Sequence, residues 1–275
     1  MKMTAKADSE RFRNHVGKYA AYLETPEGRL RLDLAFAHLQ RFLPVPQADD
    51  SLCALDLGGG TGATAIRLAR LGMRVTLLDS SPAMLKLAQR AAQEAGVAQK
   101  VALKLGDATR FAELFHTGSF DVILCHNLLE YVDDPCAVLR AAARALRNSS
   151  AIVSVLVRNQ PGEVLKAAIQ EGDLSAAEHS LTAEWGRESL YGGKVRLFTL
   201  DTLEAMLRAA SLKVIAERGV RVISDYLPPR ISRSAEYERI LELEGKLGSR
   251  AEFAAVARYT QCLACRAVQV MEDGT

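Results

Sequence analysis

The sequence predicts an α/β protein built on a doubly wound, mostly parallel sheet. Two observations carry this. From Ser51 onward short apolar segments alternate with amphipathic segments of helical period, and the first apolar segment, "CALDLG", runs straight into the glycine-rich turn "GGGTG". Strands that alternate with helices pair in parallel, and right-handed crossovers then place the helices on both faces of the sheet.

Ahead of the repeat, residues 9–43 mix charged and apolar positions at helical spacing, with Leu30, Leu34, Ala37 and Leu39 near one side. This predicts an N-terminal helical extension over residues 1–50, closed by "PVPQADDS", whose prolines cannot continue a helix. The repeat reads "CALDLG" then "ATAIRLARLG", "RVTLLD" then "SPAMLKLAQRAAQEAG", and "VALKLGDA" then "RFAELFHTG". It continues with "FDVILCHN", "DPCAVLRAAARALR" and the strand "AIVSVLV". After Arg158 the pattern breaks. Residues 159–198 are polar and weakly periodic, which predicts an inserted lid or substrate-facing segment within a domain of residues 51–275. A helix in "TLDTLEAMLRAASL", a strand in "KVIAERGVRVISDY", a charged helix in "SAEYERILELEGKLG" and a last strand in "RYTQCLACRAVQV" follow. These late strands predict an antiparallel pair at the sheet edge.

Composition narrows the function. With 275 residues, 35 Lys+Arg against 33 Asp+Glu and 49% hydrophobic residues, the chain can bury a full core. A net charge of +2 does not announce a nucleic-acid binder, although a local patch can still hold a compact RNA. No apolar run reaches the roughly 18 residues that cross a bilayer, and "MKMTAKADSERFRNH" lacks the apolar stretch of a signal peptide, so a cytoplasmic protein is expected. Cys262 and Cys265 make a C-x-x-C within a strand. Residues three apart there face opposite ways, so no metal or redox site is expected.

In an open α/β sheet a ligand docks where the first strand turns into the first helix. Gly58, Gly59, Gly60 and Gly62 fall there, and glycine lets a ligand approach the backbone without meeting a Cβ. Taken alone, such a loop is equally a tight structural turn. Asp79 follows Gly58 by 79 − 58 = 21 residues, the spacing at which an acid receives ribose hydroxyls; Ser80 and Ser81 offer the alternative of a helix cap. Asp56, inside the turn, would repel a pyrophosphate and attract a cationic amino or sulfonium group. That disfavours an NAD-dependent oxidoreductase.

With these residues the sequence resembles the class I S-adenosylmethionine-dependent methyltransferases, whose D-x-G-x-G-x-G motif is met by Asp56, Gly58, Gly60 and Gly62. The resemblance implies a Rossmann-like fold of seven strands ending in an antiparallel hairpin. It also implies S-adenosyl-L-methionine as cofactor and S-adenosyl-L-homocysteine as product. It gives Asp79 the ribose, with Ser80 and Met84 beside it, "GDA" with Asp107 and Ala108 the adenine, and "FDVILCHNLLEYVDDP" with His126 the methionine end. Read as residues alone, Asp107 also suits a helix cap and His126 a satisfied strand-end histidine.

The flanks are similar to the bacterial methyltransferases that esterify the carboxylate of 5-carboxymethoxyuridine, a modified wobble uridine of tRNA. The similarity lies in "PEGRLRLDLAF", "HNLLEYVDDP", "GVRVISDYLP", "YERILELE" and "ARYTQCLACR". It implies tRNA as partner and makes Arg31 the partner of the methionine carboxylate, where the residues alone read as a solvated helix face. Two departures stand out. The insert mixes acids into a stretch that is lysine-rich in that family, which weakens phosphate attraction, and Arg158 replaces a tyrosine.

Methyl transfer is an in-line displacement, and a carboxylate with a pKa of about 4 is already anionic at neutral pH. No catalytic base is therefore expected, only positioning residues. Arg158, Arg196 and Arg221 are candidates to hold an acceptor carboxylate, although each taken singly reads first as a surface arginine. Tyr226, with Tyr191 and Trp185, could stack on a nucleobase or simply pack. Two alternatives remain: a methyltransferase for a small-molecule carboxylate or hydroxyl, and a non-catalytic adenosyl-ligand-binding protein.

Overall fold

The computed structural model of the chain describes residues 16–46, 51–188, 190 and 192–267. Two helices come first, α1 (Val16–Glu24) and α2 (Pro26–Gln40). The alternating region follows as β1 (Cys53–Leu57), α3 (Ala63–Arg70), β2 (Arg74–Asp79), α4 (Pro82–Glu94), β3 (Val101–Leu105), β4 (Val122–His126), α5 (Pro135–Ala145) and β5 (Ile152–Arg158). The inserted stretch holds α6 (Gln160–Leu165), a wide helical turn over Lys166–Glu171, α7 (Leu174–Ser180) and a hairpin of β6 (Trp185–Arg187) and β7 (Lys194–Arg196). The chain closes through α8 (Leu200–Ala209), β8 (Leu212–Val220), α9 (Tyr237–Gly248), α10 (Ala251–Ala254) and β9 (Tyr259–Arg266).

The main sheet has seven strands in the order β3-β2-β1-β4-β5-β9-β8. The first five pair in parallel, and β9 runs antiparallel to both β5 and β8. The predicted antiparallel edge is therefore present. Alternate residues of each strand feed separate cores. Leu55, Leu57, Ile123 and Val155 pack with α5 and α8 on one face, while Ala54, Val122, Leu124 and Ile152 pack with α3, α4 and Leu39 of α2 on the other. The strand order reverses between β1 and β4. Their carboxyl ends diverge there and leave the crevice in which open α/β sheets bind ligands.

Some expectations change in detail. On α2 the buried face is Leu30, Arg31, Leu34, Ala35, His38 and Leu39, and Ala37 is exposed, because a 3.6-residue period carries it off that arc. The segment "RFAELFHTG" makes only a short 3-10 helix, Ala108–Glu113, started by Asp107, whose carboxylate accepts the Thr109 N–H at 2.8 Å. Edge strand β3 needs little cover, and its Leu105 is 58% exposed. Residues 159–198 hold several short helices and a hairpin, too brief individually to show a period.

Helices α1 and α2 cross at Gly28, where a Cβ would lie 2.0 Å from the Tyr22 carbonyl oxygen. That close approach brings Tyr19 and Tyr22 over Arg31. Helix α9 docks through a fully buried carboxylate, Glu244, which accepts the backbone N–H groups of Val222, Ile223 and Ser224 at 2.6, 3.0 and 2.7 Å. Removing it strands three buried donors. Glu244→Ala is expected to cost about 2–3 kcal/mol of unfolding free energy in urea titration; a loss under about 0.5 kcal/mol would mean that the helix is held by its apolar contacts alone.

Candidate active site

A cavity of about 530 Å³ opens at the strand-order reversal. The structure brings Arg31, Gly58, Gly60, Asp79, Ser80 and Met84 to its wall, together with Asp107, Ala108, His126 and Arg158. Asp56 and Gly59 line a smaller void behind the loop, and Gly62 lies outside both, packed toward Ala88 and Leu77.

The loop between β1 and α3 is bare because its path requires it. Gly58 and Gly60 have φ of +67° and +55°, and a Cβ on Gly58 would come 3.1 Å from Leu128 Cδ1. The Gly58 N–H donates to the Leu78 carbonyl at 2.8 Å and the Gly60 N–H to Asp79 Oδ2 at 2.9 Å, so the loop is fastened to the end of β2. Asp79 Oδ1 accepts the Ser81 N–H at 2.8 Å, and Ser81 Oγ caps α4 by accepting from Met84. The cap thus belongs to Ser81 and leaves Asp79 facing the cavity. Burial raises the Asp79 carboxyl above its ordinary value. Asp56 beneath it is pushed up to about 7, by burial first and then by the charge of Asp79.

Arg31 is not a solvated helix residue. It is 5% exposed, donates from Nη1 to Asn127 Oδ1 at 3.0 Å and from Nη2 to the Tyr19 hydroxyl at 3.3 Å, and lies 5.1 Å from the Tyr22 ring centroid. Asn127, in the left-handed region at φ +50°, is oriented by donating to Glu130 Oε1 at 3.0 Å. Arg158 is likewise buried rather than on the surface, paired with Glu163 at 3.1 Å and Glu188 at 2.7 Å.

The other nominated residues lie off the cavity wall. Arg221 is buried but turned to Asp225 and the Tyr22 hydroxyl, and Tyr226 donates to the Gly162 carbonyl at 3.4 Å. Arg196 sits 5.0 Å from the centroid of the half-exposed Trp185 ring and donates to the Asp133 carbonyl at 3.4 Å. Tyr191 lies outside the described residues. Sequence reasoning placed the segment of Tyr131 at the cavity without singling that residue out, and missed Tyr19, Glu188 and Tyr259, which line the cavity from three distant segments with no local spacing to connect them.

A buried chain of hydrogen bonds assigns the proton on His126. Gln261 Nε2 donates to the Ala35 carbonyl and to Ser154 Oγ, both at 3.0 Å, which fixes its amide. Ser154 Oγ then has one remaining partner, His126 Nε2 at 2.8 Å, and donating to it is the arrangement that keeps the buried hydroxyl hydrogen paired. His126 therefore carries its proton on Nδ1. Burial, and secondarily Arg31, lowers its pKa to about 3, so it stays neutral when folded.

The wall as a whole suits an adenosyl ligand that carries an amino acid. Bare backbone at Gly58 and Gly60 admits close approach, Asp79 presents carboxylate oxygens that can accept hydrogen bonds, Met84 and Ala108 are apolar, and Arg31 is a buried planar cation. Among the described residues no group of three or more His, Cys, Asp and Glu is placed to hold a metal ion, and no helix is long and apolar enough to cross a membrane.

Residues 48–210 match the family model described as a methyltransferase domain, so the chain belongs to that family and is an S-adenosylmethionine-dependent methyltransferase. Among curated relatives, the tRNA 5-carboxymethoxyuridine methyltransferase of Escherichia coli strain K12 is 29% identical over 242 residues, covering 86% of this chain and 87% of the relative. A ubiquinone biosynthesis O-methyltransferase of Xanthomonas oryzae pv. oryzae is 33% identical over 115 residues, 42% of this chain and 47% of the relative. In fold, the chain matches a Thermotoga maritima S-adenosylmethionine-dependent methyltransferase, titled a possible histamine N-methyltransferase, with TM-score 0.64 and 15% identity over 94% of this chain and 99% of that one. A putative methyltransferase solved with the Haloferax volcanii Trm112 activator gives TM-score 0.61 and 17% identity over 94% and 97%.

Nitrogen-15 NMR of the protein is expected to show His126 as the neutral Nδ1–H tautomer from pH 8 down to pH 5. Since the unfolded histidine protonates near 6.5, the folded state binds fewer protons below that value, so this group makes the protein less stable as acid is added. An Nε2–H tautomer, or titration near pH 6.5, would contradict the assigned chain.

Proposed function

We propose that the protein transfers the methyl group of S-adenosyl-L-methionine to the carboxylate of a modified wobble uridine in tRNA. The observation that carries this reading is the reach of the likeness to the Escherichia coli relative, which at 242 residues extends well beyond the 48–210 methyltransferase core. In this reading α1 and α2 form a helical extension and 159–198 a lid over a methyltransferase domain that begins at residue 51; residues 1–15, 47–50 and 268–275 of the expected division lie outside the described residues. A tRNA substrate makes the protein cytoplasmic.

When bound, S-adenosyl-L-methionine supplies an electrophilic methyl group on a sulfonium and leaves as S-adenosyl-L-homocysteine. The chain's own residues hold and align. Arg31 takes the methionine carboxylate, Gly58 and Gly60 admit the ligand to the backbone, and Asp79 takes the ribose hydroxyls. Asp107 and Ala108 meet the adenine, while Ser80, Met84 and His126 complete the wall. Asp56 lies behind the loop with its carboxyl pushed up to about 7, and a cationic ligand bound above it would favour its charged form. A carboxylate acceptor is anionic at neutral pH, so none of these residues has to remove a proton; their work is orientation and exclusion of water.

One observation favours a second reading, transfer to a small neutral acceptor. Asp79, Asp107, Asp133, Asp134 and Glu188 line the cavity against Arg31 and Arg158, and Arg158 is already paired with two carboxylates. The experiment that separates the readings is labelled methyl transfer to bulk tRNA lacking the wobble methyl ester. The expected result is label in tRNA that mild alkali releases; label appearing only in small molecules would refute the tRNA assignment.

A further inference from the structure

We infer that Arg158 and Tyr131 form the subsite for the acceptor's carboxylate, and that Glu188 of the inserted hairpin fills it in the free enzyme as an internal stand-in. The inference rests on the carboxylate reading above and adds the residues that select for it.

Arg158 ends β5 and Tyr131 belongs to the short helical turn after β4, so both come from the rigid part of the fold. They converge on one atom. Arg158 Nη2 at 2.7 Å and the Tyr131 hydroxyl at 2.9 Å both donate to Glu188 Oε2, and all three residues line the cavity. A guanidinium and a phenol that meet on one carboxylate oxygen at a cavity wall make a carboxylate subsite, and here a carboxylate occupies it.

Glu188 is the member that lies outside the main sheet; its Oε1 accepts the Leu190 N–H of its own turn at 2.8 Å, so the side chain moves with the hairpin. Glu188 follows β6 in a hairpin whose two strands have three residues each, and neighbouring Arg187, Gly193 and Lys194 are exposed. Arg158 stays in place without it, because its Nη1 pairs with Glu163 at 3.1 Å and its backbone N–H donates to Glu130 Oε1 at 3.0 Å. Glu163 is in turn paired with Arg258 at 2.7 Å. Exchanging one carboxylate for another leaves the buried charges balanced, whereas a neutral group in the same place would strand Arg158 with half its partners. The device therefore admits carboxylate acceptors and rejects amide or hydroxyl analogues.

Glu188→Ala and Glu188→Gln test this, with acetate as the probe. Acetate is expected to raise the melting temperature of Glu188→Ala at constant ionic strength and to leave the parent unchanged, with Glu188→Gln in between. With tRNA lacking the wobble methyl ester as substrate, KM is expected to fall severalfold in Glu188→Ala, as for removal of an internal competitor. Acetate without effect on either variant, or a raised KM, would overturn the subsite. Stabilisation by acetate with no methyl transfer to tRNA would keep the subsite and refute the tRNA reading; transfer to tRNA with no acetate effect would do the reverse.

Discussion

The carboxylate of Asp79 is the point on which the site turns. It closes the end of β2, accepts the Gly60 N–H at 2.9 Å and the Ser81 N–H at 2.8 Å, and so sets the glycine loop and the start of α4 relative to one another. These bonds use backbone donors and leave acceptor capacity on the carboxylate for a ligand in the cavity. The geometry exists because the strand order reverses between β1 and β4 and parts the loops there. Asp56 pays part of the cost, since two acids under one loop cannot both be charged cheaply.

The opposite wall is held by buried ions rather than by apolar packing. Arg158, Glu163, Arg258, Asp225 and Arg221 form a continuous series of pairs, with Glu188 at its cavity end. Tyr259 sits in the middle of it. Burial raises its hydroxyl, but Arg158, Arg31, Arg221 and Arg258 outweigh that and bring it below the ordinary tyrosine value. Breaking such a network by removing one partner typically costs about 3–5 kcal/mol, so the pairs fix the positions of the cavity residues more firmly than they add to stability. Tyr19 and Tyr22, brought in by the α1–α2 crossing at Gly28, complete the enclosure around Arg31.

Much of the fold and half of the site could be read from the sequence, and the division has a physical cause. The β1 loop, Asp79 and the "GDA" turn are local: strand period, glycine run and acid spacing lie within about one βαβ unit, where backbone geometry dictates residue type. The doubly wound sheet and its antiparallel edge followed from the same periodicity. Arg31 lay within reach only through resemblance, since charge pattern alone describes a solvated helix. Arg158 reads as a surface residue because its partner Glu188 sits in a segment without a repeat, and Arg221 because the stretch through Asp225 reads as one strand, whereas the strand ends at Val220 and the chain turns at Arg221 to bring the two together. The second wall joins Tyr19, Tyr131, Glu188 and Tyr259 across the whole chain, and no window of sequence contains that adjacency.

The most direct test is calorimetric titration of S-adenosyl-L-methionine and of adenosine into the parent, Asp79→Ala and Arg31→Lys proteins. The account predicts that Asp79→Ala weakens both ligands by about 1–3 kcal/mol, the cost of unpaired polar groups. Arg31→Lys, which keeps the charge but loses the planar fork, should weaken S-adenosyl-L-methionine and leave adenosine unchanged. Unaltered affinities in Asp79→Ala, or equal losses for both ligands in Arg31→Lys, would contradict the placement of the cofactor in this cavity.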